Sequence, residues 1–303
     1  MSQDAGGALP QRNVPLARYA TVRTGGPAEY FARVGEEQEL TRMLEWAATE
    51  RQPVAVVGSG SNLLIADDGV RGLVLKLDRQ LAQIELEDER MLCGGGARMP
   101  AIAAQAARAG LAGIEFAVNI PGSVGGAVRM NANAYGGDLA NVLEWVEVAT
   151  ANGTERRKPD QLAFGYRRSG LRGGEIVVRA QLKLTPSTPE AVKATLAHMR
   201  ERRHAAQPQG IKTFGSTFKN PEDPRAQGLT AGQLLAEAGC AGLQIGQARY
   251  APKHANFIEN GGGASTAEIV ALMAEGRRRV LERRGVELEP EVQTLGEVHF
   301  PWM

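Results

Sequence analysis

Residues 54–77 read VAVVGSGSNLLIADDGVRGLVLKL, and the order of elements in this stretch narrows the fold class. An amphipathic helix is predicted over residues 36–50, and a short apolar strand then leads into the glycine loop 58–62. A dinucleotide-binding βαβ unit places a long helix directly after such a loop. Here a turn at Asp67–Gly69 is followed by a second strand from Leu73 to Leu77. The glycine loop therefore does not belong to a Rossmann unit.

A larger glycine-rich segment, residues 119–137, reads NIPGSVGGAVRMNANAYGG. Backbone amides left unpaired in such turns form a concave site that suits phosphate. No Lys-Ser or Lys-Thr pair follows, so the segment is not an ATPase phosphate loop. Together with loops 58–62 and 94–96, this segment predicts a binding site for one extended, phosphate-containing cofactor. Three serines would add hydroxyl donors: Ser59, Ser61 and Ser123. The weaker alternative is a turn-rich α+β domain that binds nothing.

The bulk composition excludes several function classes. The chain has 303 residues, 43% of them hydrophobic, and its 35 basic and 34 acidic residues leave a net charge of +1. This balance lacks the basic field of a nucleic-acid or membrane-surface binder, and no apolar run is long enough to cross a bilayer. The two cysteines form no CxxC pair and the four histidines lack metal-ligand spacing, so no metal site is predicted. The polar residues 1–7 lack the apolar segment of a signal peptide, and we expect a cytoplasmic protein.

The other elements follow from periodicity, caps and turn residues. We predict a hairpin over 84–93, helices over 100–110, 190–205, 230–239 and 265–285, and strands over 145–150, 155–158 and 176–184. Capping boxes at Thr230/Gln233 and Ser265/Glu268 begin the last two helices. Pro186 and Pro189 flank two small polar residues, and the segment 186–189 marks the predicted boundary between two domains.

Four short polar motifs outside the glycine loops could carry chemistry. They are Tyr166-Arg167, FGSTFKNP at 214–221, LEPEV at 288–292, and the pair His254 and Asn256. Arg167 could bind a carboxylate or phosphate through two parallel hydrogen bonds. Each motif has a structural alternative: a surface arginine cluster, a hairpin stabilised by Ser216 and Asn220, a solvated Glu291, or a satisfied core histidine. For Ser216 the hairpin is the stronger interpretation on the residues alone.

Together, seven segments in this order resemble the UDP-N-acetylenolpyruvoylglucosamine reductase (MurB) family of flavoenzymes. The segments are Thr24–Ala28, Val57–Leu64, Asn119–Asp138, Gly165–Arg167, Gly215–Pro221, Lys253–Phe257 and Leu288–Val292. The resemblance implies an α+β fold with an FAD-binding PCMH-type (vanillyl-alcohol-oxidase-type) domain over 1–186, in subdomains of about 1–77 and 78–186. A C-terminal α+β substrate-binding domain over 187–303 follows, and its tail 296–303 is expected to pack on the FAD domain.

The resemblance also implies an activity in peptidoglycan precursor synthesis. NADPH reduces non-covalently bound FAD, and hydride then reaches the enolpyruvyl β-carbon of UDP-N-acetyl-enolpyruvylglucosamine to give UDP-N-acetylmuramate. Arg167 matches the family's charge-stabilising arginine, Ser216 its proton donor to the α-carbon, and Glu291 the glutamate that orients or polarises the substrate carboxylate. The implied FAD contacts are Gly58, Ser59, Gly60, Ser61, Asn62, Asn119, Ile120, Pro121, Gly122, Ser123, Gly125 and Gly126. The implied substrate contacts are Tyr166, Lys219, Asn220, His254 and Asn256.

The chain departs from the family pattern at several positions. The stretch from Arg167 to Ile176 is too short for the extra tyrosine-bearing loop of type I members, so the chain resembles the shorter type II. Gln293 stands where type I members often have an arginine. Arg129 and Asn133 replace residues that are commonly apolar or glycine in the flavin motif, so the resemblance does not imply their contacts.

Two other functions stay open from the sequence. One is a different oxidoreductase of the same flavin fold, and the other is a non-catalytic nucleotide-binding module. The joint occurrence of Arg167, Ser216 and Glu291 favours the reductase, because neither alternative requires the three together.

Overall fold

The computed structural model describes residues 9–303, which form two compact units. The first unit comprises residues 9–14, 28–59 and 71–202, and the second comprises residues 15–27, 60–70 and 203–303. The expected lack of a signal peptide concerns residues that lie outside the described part. The predicted domain limits and the placement of the tail 296–303 stay predictions.

The described residues contain six α-helices: α1 (Glu37–Thr49), α2 (Met99–Ala109), α3 (Val124–Arg129), α4 (Pro189–Ala206), α5 (Ala231–Glu237) and α6 (Thr266–Arg284). All five predicted helices are confirmed, and α5 and α6 begin with the predicted capping boxes. The short α3 was not predicted, because glycine at two of its positions lowers helix propensity. Ser123 caps its first turn and fixes where it begins.

The same residues contain eighteen strands: β1 (Gln11–Pro15), β2 (Pro27–Val34), β3 (Val54–Val56), β4 (Leu63–Ile65), β5 (Val70–Leu77), β6 (Ile84–Glu87), β7 (Arg90–Gly94), β8 (Leu111–Ala112), β9 (Asn133–Ala134), β10 (Gly137–Asp138), β11 (Leu143–Thr150), β12 (Gly153–Arg157), β13 (Ile176–Lys183), β14 (Thr185–Pro186), β15 (Gln244–Ile245), β16 (Ala248–Tyr250), β17 (Ile258–Asn260) and β18 (Gln293–Leu295). The predicted hairpin β6–β7 is confirmed, and the predicted strands at 145–150 and 155–158 form a second hairpin, β11–β12. Most of the unpredicted strands have only two or three residues, too few to show a period.

Two sheets form the framework of the first unit. One has the order β1-β2-β5-β3, with β3 and β5 parallel, and the other has the antiparallel order β12-β11-β13-β7-β6. Helix α1 buries Leu40 and Leu44 in a core shared with Leu75 of β5 and Val178 of β13. Helices α2 and α3 contribute to a second core that covers the antiparallel sheet. Helices that pack on largely antiparallel sheets confirm the α+β class.

The glycine loop 58–62 leads straight into β4, with no helix between them. The exclusion of a Rossmann unit is therefore confirmed. The predicted turn that follows is also confirmed, since the Gly69 N–H donates to the Ala66 carbonyl at 3.0 Å.

In the second unit, helix α6 packs against the antiparallel sheet β15-β16-β17, and β18 pairs in parallel with β4. Asp67 caps the helix from a distant part of the sequence. Its two carboxylate oxygens accept the N–H groups of Thr266 (2.8 Å) and Ala267 (2.9 Å). A negative charge at a helix N-terminus is stabilising, so this contact joins residues 60–70 to the C-terminal segment.

Both cysteines are free and buried. Burial raises the pKa of Cys93 to about 12 and that of Cys240 to about 11. Because the thiolate is the reactive form, neither thiol is a nucleophile at neutral pH. Cys93 therefore serves as a packed core residue ahead of loop 94–96.

A buried ion pair lies immediately before the first residue of β13. Glu175, 9% exposed, accepts hydrogen bonds from Arg157 Nη1 (3.0 Å) and Nη2 (2.6 Å) and from the Arg172 N–H (2.8 Å). The hydrogen bonds from Arg157 are the main reason that the pKa of Glu175 falls from its ordinary value of 4.5 to about 2.

We predict that Glu175→Gln lowers the free energy of unfolding at neutral pH by about 2 kcal/mol, since the amide keeps the shape but loses the charge. The folded-state pKa lies below the ordinary one, so this stabilisation is complete above about pH 4.5 and is lost as the pH falls toward 2. The difference between parent and variant, measured by urea denaturation, should shrink over that range.

The matched control is Glu155→Gln, which removes the exposed partner of the same arginine. We expect it to cost less than about 0.5 kcal/mol, because solvent screens exposed pairs. A difference for Glu175→Gln that stays constant with pH would contradict the assignment.

Candidate functional site

Glycine loops 94–96 and 119–126 lie side by side in the first unit. Three backbone hydrogen bonds join their surroundings: Gly125 N–H to Gly95 O (2.8 Å), Val124 N–H to Ala97 O (2.9 Å) and Met99 N–H to Gly122 O (3.0 Å). Gly95 also runs against β13, where an added Cβ would lie 1.9 Å from the Val177 carbonyl oxygen. Only glycine permits this approach, so these bonds set the position of α3.

Gly58 of loop 58–62 lies against Ser123 of loop 119–126, which we call the third loop. A Cβ at Gly58 would lie 2.4 Å from Ser123 Oγ. Lys76 of β5 supports the same loop, because its Nζ donates to the Gly58 carbonyl at 2.8 Å. Burial lowers the pKa of this ammonium group. Gly58 and Ser123 therefore lie close together, and the cofactor site predicted from the three loops stays a prediction.

Several backbone N–H groups of these loops are not used in backbone hydrogen bonds. Within residues 9–303, the N–H groups of Ser59, Gly122 and Ser123 donate to no backbone carbonyl. Such amides, together with serine hydroxyls, can hold phosphate oxygens without a lysine. The residues present in the first unit therefore fit the pyrophosphate of FAD.

Asn119, another predicted cofactor residue, lies at the start of the third loop. Its Nδ2 lies within hydrogen-bond distance of the Tyr135 hydroxyl (3.0 Å) and the Met199 carbonyl of α4 (2.8 Å). Beyond it, Ile120 is half-buried and Pro121 is exposed. The side chain of Asn119 thus ties the loop to α4, and its contact with FAD stays a prediction.

Arg167 occupies a strained turn in the first unit. The turn is closed by Gly165 and Arg168, whose N–H groups donate to each other's carbonyls at 3.1 and 3.3 Å. The Arg167 φ of 56° is left-handed, which is costly for a residue with a Cβ. Its Nη1 donates to Asn133 Oδ1 at 2.7 Å, and its guanidinium carbon lies 5.0 Å from the ring centroid of Tyr166.

Arg129 anchors the chain that follows this turn. Its guanidinium donates to three carbonyl oxygens, those of Leu171 (3.3 Å), Arg172 (3.2 Å) and Glu175 (3.0 Å). Ser169 Oγ donates in return to the Arg129 carbonyl at 2.9 Å. Arg129 and Asn133 therefore both contact the Arg167 turn or the chain just after it.

In the second unit, Ser216 lies on an extended segment between two others. The Thr217 N–H donates to the Asn256 carbonyl at 2.7 Å, and the Thr217 carbonyl accepts the Glu291 N–H at 2.9 Å. Bridges join Ser216 to Phe257 and Phe218 to Pro290. The hairpin alternative for Ser216 is therefore wrong, because its neighbours come from residues 253–257 and 288–292. The structure brings Ser216 and Glu291 onto adjacent segments.

Residues 60–62 are the part of glycine loop 58–62 that belongs to the second unit. They contact the segment that carries Ser216 and the segment that carries Glu291. Asn62 Nδ2 donates to the Glu291 carbonyl at 3.1 Å. The Thr21 hydroxyl lies 3.0 Å from the Gly60 carbonyl and 2.6 Å from the Thr213 carbonyl. Residues 60–62 thus lie beside the chain that carries Ser216 and the chain that carries Glu291.

The other predicted substrate residues have local partners. Asn256 is buried, and its carboxamide both accepts the Phe218 N–H (2.9 Å) and donates to the Phe218 carbonyl (2.8 Å). Lys219 Nζ lies 3.1 Å from a Glu289 carboxylate oxygen, and Asn220 Oδ1 accepts the Ala231 N–H at 3.1 Å. Their contacts with substrate stay predictions.

His254 is half-buried beside this arrangement. Its Nδ1 accepts the Asn256 N–H at 3.3 Å, and its ring packs edge-on to Phe257 with centroids 4.8 Å apart. Burial lowers the pKa of His254, which keeps the imidazole neutral at pH 7. A neutral ring can orient a ligand but supplies no charge to it.

Sequence reasoning missed three supporting side chains: Thr21, Lys76 and Asp67. Lys76 left a signal, because it interrupts the apolar run of β5. Thr21 and Asp67 left none, since each acts on a segment far away in the sequence. Within residues 9–303 no group of three His, Cys, Asp or Glu side chains could hold a metal ion. None of the helices described here is both long and apolar enough for a membrane span.

We predict that Gly58→Ala lowers the affinity for FAD by about tenfold or more. The new Cβ forces Ser123 Oγ out of its capping position, and a lost cap costs about 1 kcal/mol, close to the 1.4 kcal/mol of a tenfold change. The measurement is a fluorescence titration of the deflavinated protein with FAD. The control is Gly173→Ala, whose Cβ would meet nothing within 4 Å. Equal affinity of Gly58→Ala and the control would refute the contact.

Two protein-family models match the chain. The model of the FAD binding domain matches residues 28–157, and the model described as the UDP-N-acetylenolpyruvoylglucosamine reductase C-terminal domain matches residues 207–295. The expected order of an FAD-binding domain followed by a C-terminal domain is confirmed. FAD is therefore the cofactor, and the chain is a flavin-dependent oxidoreductase.

Similar proteins cover nearly the whole chain. The UDP-N-acetylenolpyruvoylglucosamine reductase of Gluconobacter oxydans is 44% identical over 94% of this chain and 91% of its own length. The reductase 2 of Symbiobacterium thermophilum is 42% identical over 96% and 93%. The crystal structure of the MurB enzyme from Thermus caldophilus superposes with a TM-score of 0.83 at 37% identity, covering 95% of this chain and all of that one. The chain belongs to the UDP-N-acetylenolpyruvoylglucosamine reductase (MurB) family.

Proposed function

We propose that this enzyme reduces UDP-N-acetyl-enolpyruvylglucosamine to UDP-N-acetylmuramate with NADPH as the reductant, and that Arg167, Ser216 and Glu291 act on the substrate. Bound FAD supplies the hydride chemistry, which amino-acid side chains do not provide. The overall reaction adds a hydride at the enolpyruvyl β-carbon and a proton at the α-carbon. The protein has to bind the carboxylate, stabilise the developing charge and deliver the proton.

Arg167 stabilises the negative charge that develops on the α-carbon and carboxylate of the substrate. Its guanidinium is already held by Asn133 at 2.7 Å, so little reorganisation is needed when the charge appears. The exposed Tyr166 ring beside it offers a surface for the nucleotide sugar.

Ser216 delivers the proton to the α-carbon. The backbone of its segment is fixed on both sides, by the Asn256 carbonyl and by the Glu291 N–H, both through Thr217. A hydroxyl whose backbone is fixed can be held within reach of one carbon atom. Proton transfer from a donor positioned in this way speeds the reaction. Glu291, on the adjacent segment, orients the substrate carboxylate.

The contact of residues 60–62 with both catalytic segments is the observation that supports this proposal most. Asn62 donates to the Glu291 carbonyl, and Thr21 links Gly60 to residue 213, three residues before Ser216. Within the second unit, residues 60–62 therefore support the backbone of the two segments that carry the proposed proton donor and the proposed carboxylate-orienting glutamate. We place the enzyme in the cytoplasm, because NADPH and UDP-sugars are cytoplasmic metabolites, and we assign it no nucleic-acid or membrane partner.

The experiment that tests the function separates the two half-reactions. The purified protein, loaded with FAD, should be bleached by NADPH in the absence of oxygen, and its absorbance should return when the enolpyruvyl substrate is added. Bleaching without reoxidation would indicate another oxidoreductase of the same fold. A protein that binds FAD but is never reduced would indicate a binding module.

We predict that Ser216→Ala is still bleached by NADPH at the parent rate but is reoxidised at least ~100-fold more slowly, since the proton donor is lost. Stopped-flow absorbance measures both rates. The control is Ser187→Ala, which removes an exposed serine of the first unit and should change neither rate. Reoxidation of Ser216→Ala at the parent rate would rule out Ser216 as the donor.

A further inference from the structure

Two asparagines of the third glycine-rich segment contact the Arg167 turn. Asn133, on β9, accepts the Arg167 Nη1 at 2.7 Å through its side-chain oxygen. Asn131 Nδ2 lies 3.4 Å from the Gly165 carbonyl at the other side of the turn. Asn131 is buried. The segment that forms the cofactor cradle thus also braces the predicted carboxylate-binding arginine.

The acceptor that Asn133 presents to the guanidinium is neutral. A neutral amide oxygen aligns the guanidinium through a hydrogen bond but adds no charge to its surroundings. A carboxylate in the same place would form a charge-assisted pair with Arg167, which is stronger and competes with an incoming anion. Asn133 therefore orients the Arg167 guanidinium, and its side chain does not compete with the substrate carboxylate for that charge.

We propose that Asn133 is a positioning residue that holds Arg167 for the substrate carboxylate, and that its lack of charge is essential to this role. The proposal rests on the proposed function, in which Arg167 binds that carboxylate. The asparagine acts on the substrate site rather than on the cofactor.

The decisive variant is Asn133→Asp, which keeps the size and the acceptor oxygen but adds a negative charge. A second variant, Asn133→Ala, removes the side-chain acceptor, keeps the backbone carbonyl that lies 3.5 Å from Arg167 Nη1, and adds no charge. The control is Asn152→Asp, which makes the same chemical change at an exposed turn of the first unit. All three variants are prepared as FAD-loaded full-length protein, and their flavin absorbance reports whether the cofactor site is intact.

Binding is measured by calorimetry with two ligands that differ in the carboxylate. UDP-N-acetylmuramate carries it, and UDP-N-acetylglucosamine does not. We expect Asn133→Asp to weaken UDP-N-acetylmuramate binding at least ~10-fold and Asn133→Ala to weaken it less, because only the first adds a competing charge. Binding of UDP-N-acetylglucosamine and the rate of bleaching by NADPH should match the parent in both.

The order of the two variants decides the outcome. A purely structural role for Asn133 makes the same-sized Asn133→Asp the milder change, so an Asp variant that binds UDP-N-acetylmuramate as well as the parent, or better than the Ala variant, overturns the proposal. Equal loss of both ligands also overturns it. Failure of the parent enzyme to be reoxidised by the enolpyruvyl substrate is a different result, which refutes the proposed function itself.

Discussion

The contact between loop 94–96 and β13 is the constraint on which the site in the first unit depends. The Gly95 N–H donates to the Val178 carbonyl at 2.6 Å, and no residue with a Cβ could occupy that place without displacing the strand. The Gly95 carbonyl then accepts the Gly125 N–H, which sets the start of α3 and the place of Ser123. This backbone contact fixes the loop that carries Gly122 and Ser123, whose N–H groups donate to no backbone carbonyl and are predicted to bind phosphate.

In the second unit, backbone hydrogen bonds between distant segments fix the position of the segment that carries Ser216. Three segments that are far apart in sequence run beside one another, and the central one, with Ser216 and Thr217, bonds to both neighbours through its backbone. Asn256 strengthens this arrangement, since its buried carboxamide takes both the donor and the acceptor of Phe218. Buried polar groups of this kind are costly unless fully paired, so the pairing specifies one register for the segment. The backbone on either side of Ser216 is therefore held in one position, as its proposed role requires.

Arg129 and Asn133 support the same part of the first unit. Arg129 holds the chain after the Arg167 turn through three carbonyls, and Asn133 holds the arginine itself. Burial lowers the pKa of Arg129, and its contacts with carbonyl dipoles compensate for the loss of water around the charge. The turn that carries Arg167 has a left-handed backbone, and such strain persists only where surrounding contacts hold it.

The sequence by itself determined the parts that depend on neighbouring residues. The apolar period of α1, the capping boxes of α5 and α6, and the strand that directly follows loop 58–62 were all predicted correctly, because caps and periods are local. Motif order also identified the family and the cofactor. Only the tertiary structure decided that Ser216 lies beside Glu291 rather than in a hairpin, that Asp67 caps α6, and that Asn133 holds Arg167. These contacts join segments that local patterns treat as unrelated, and their geometry depends on how the whole chain packs.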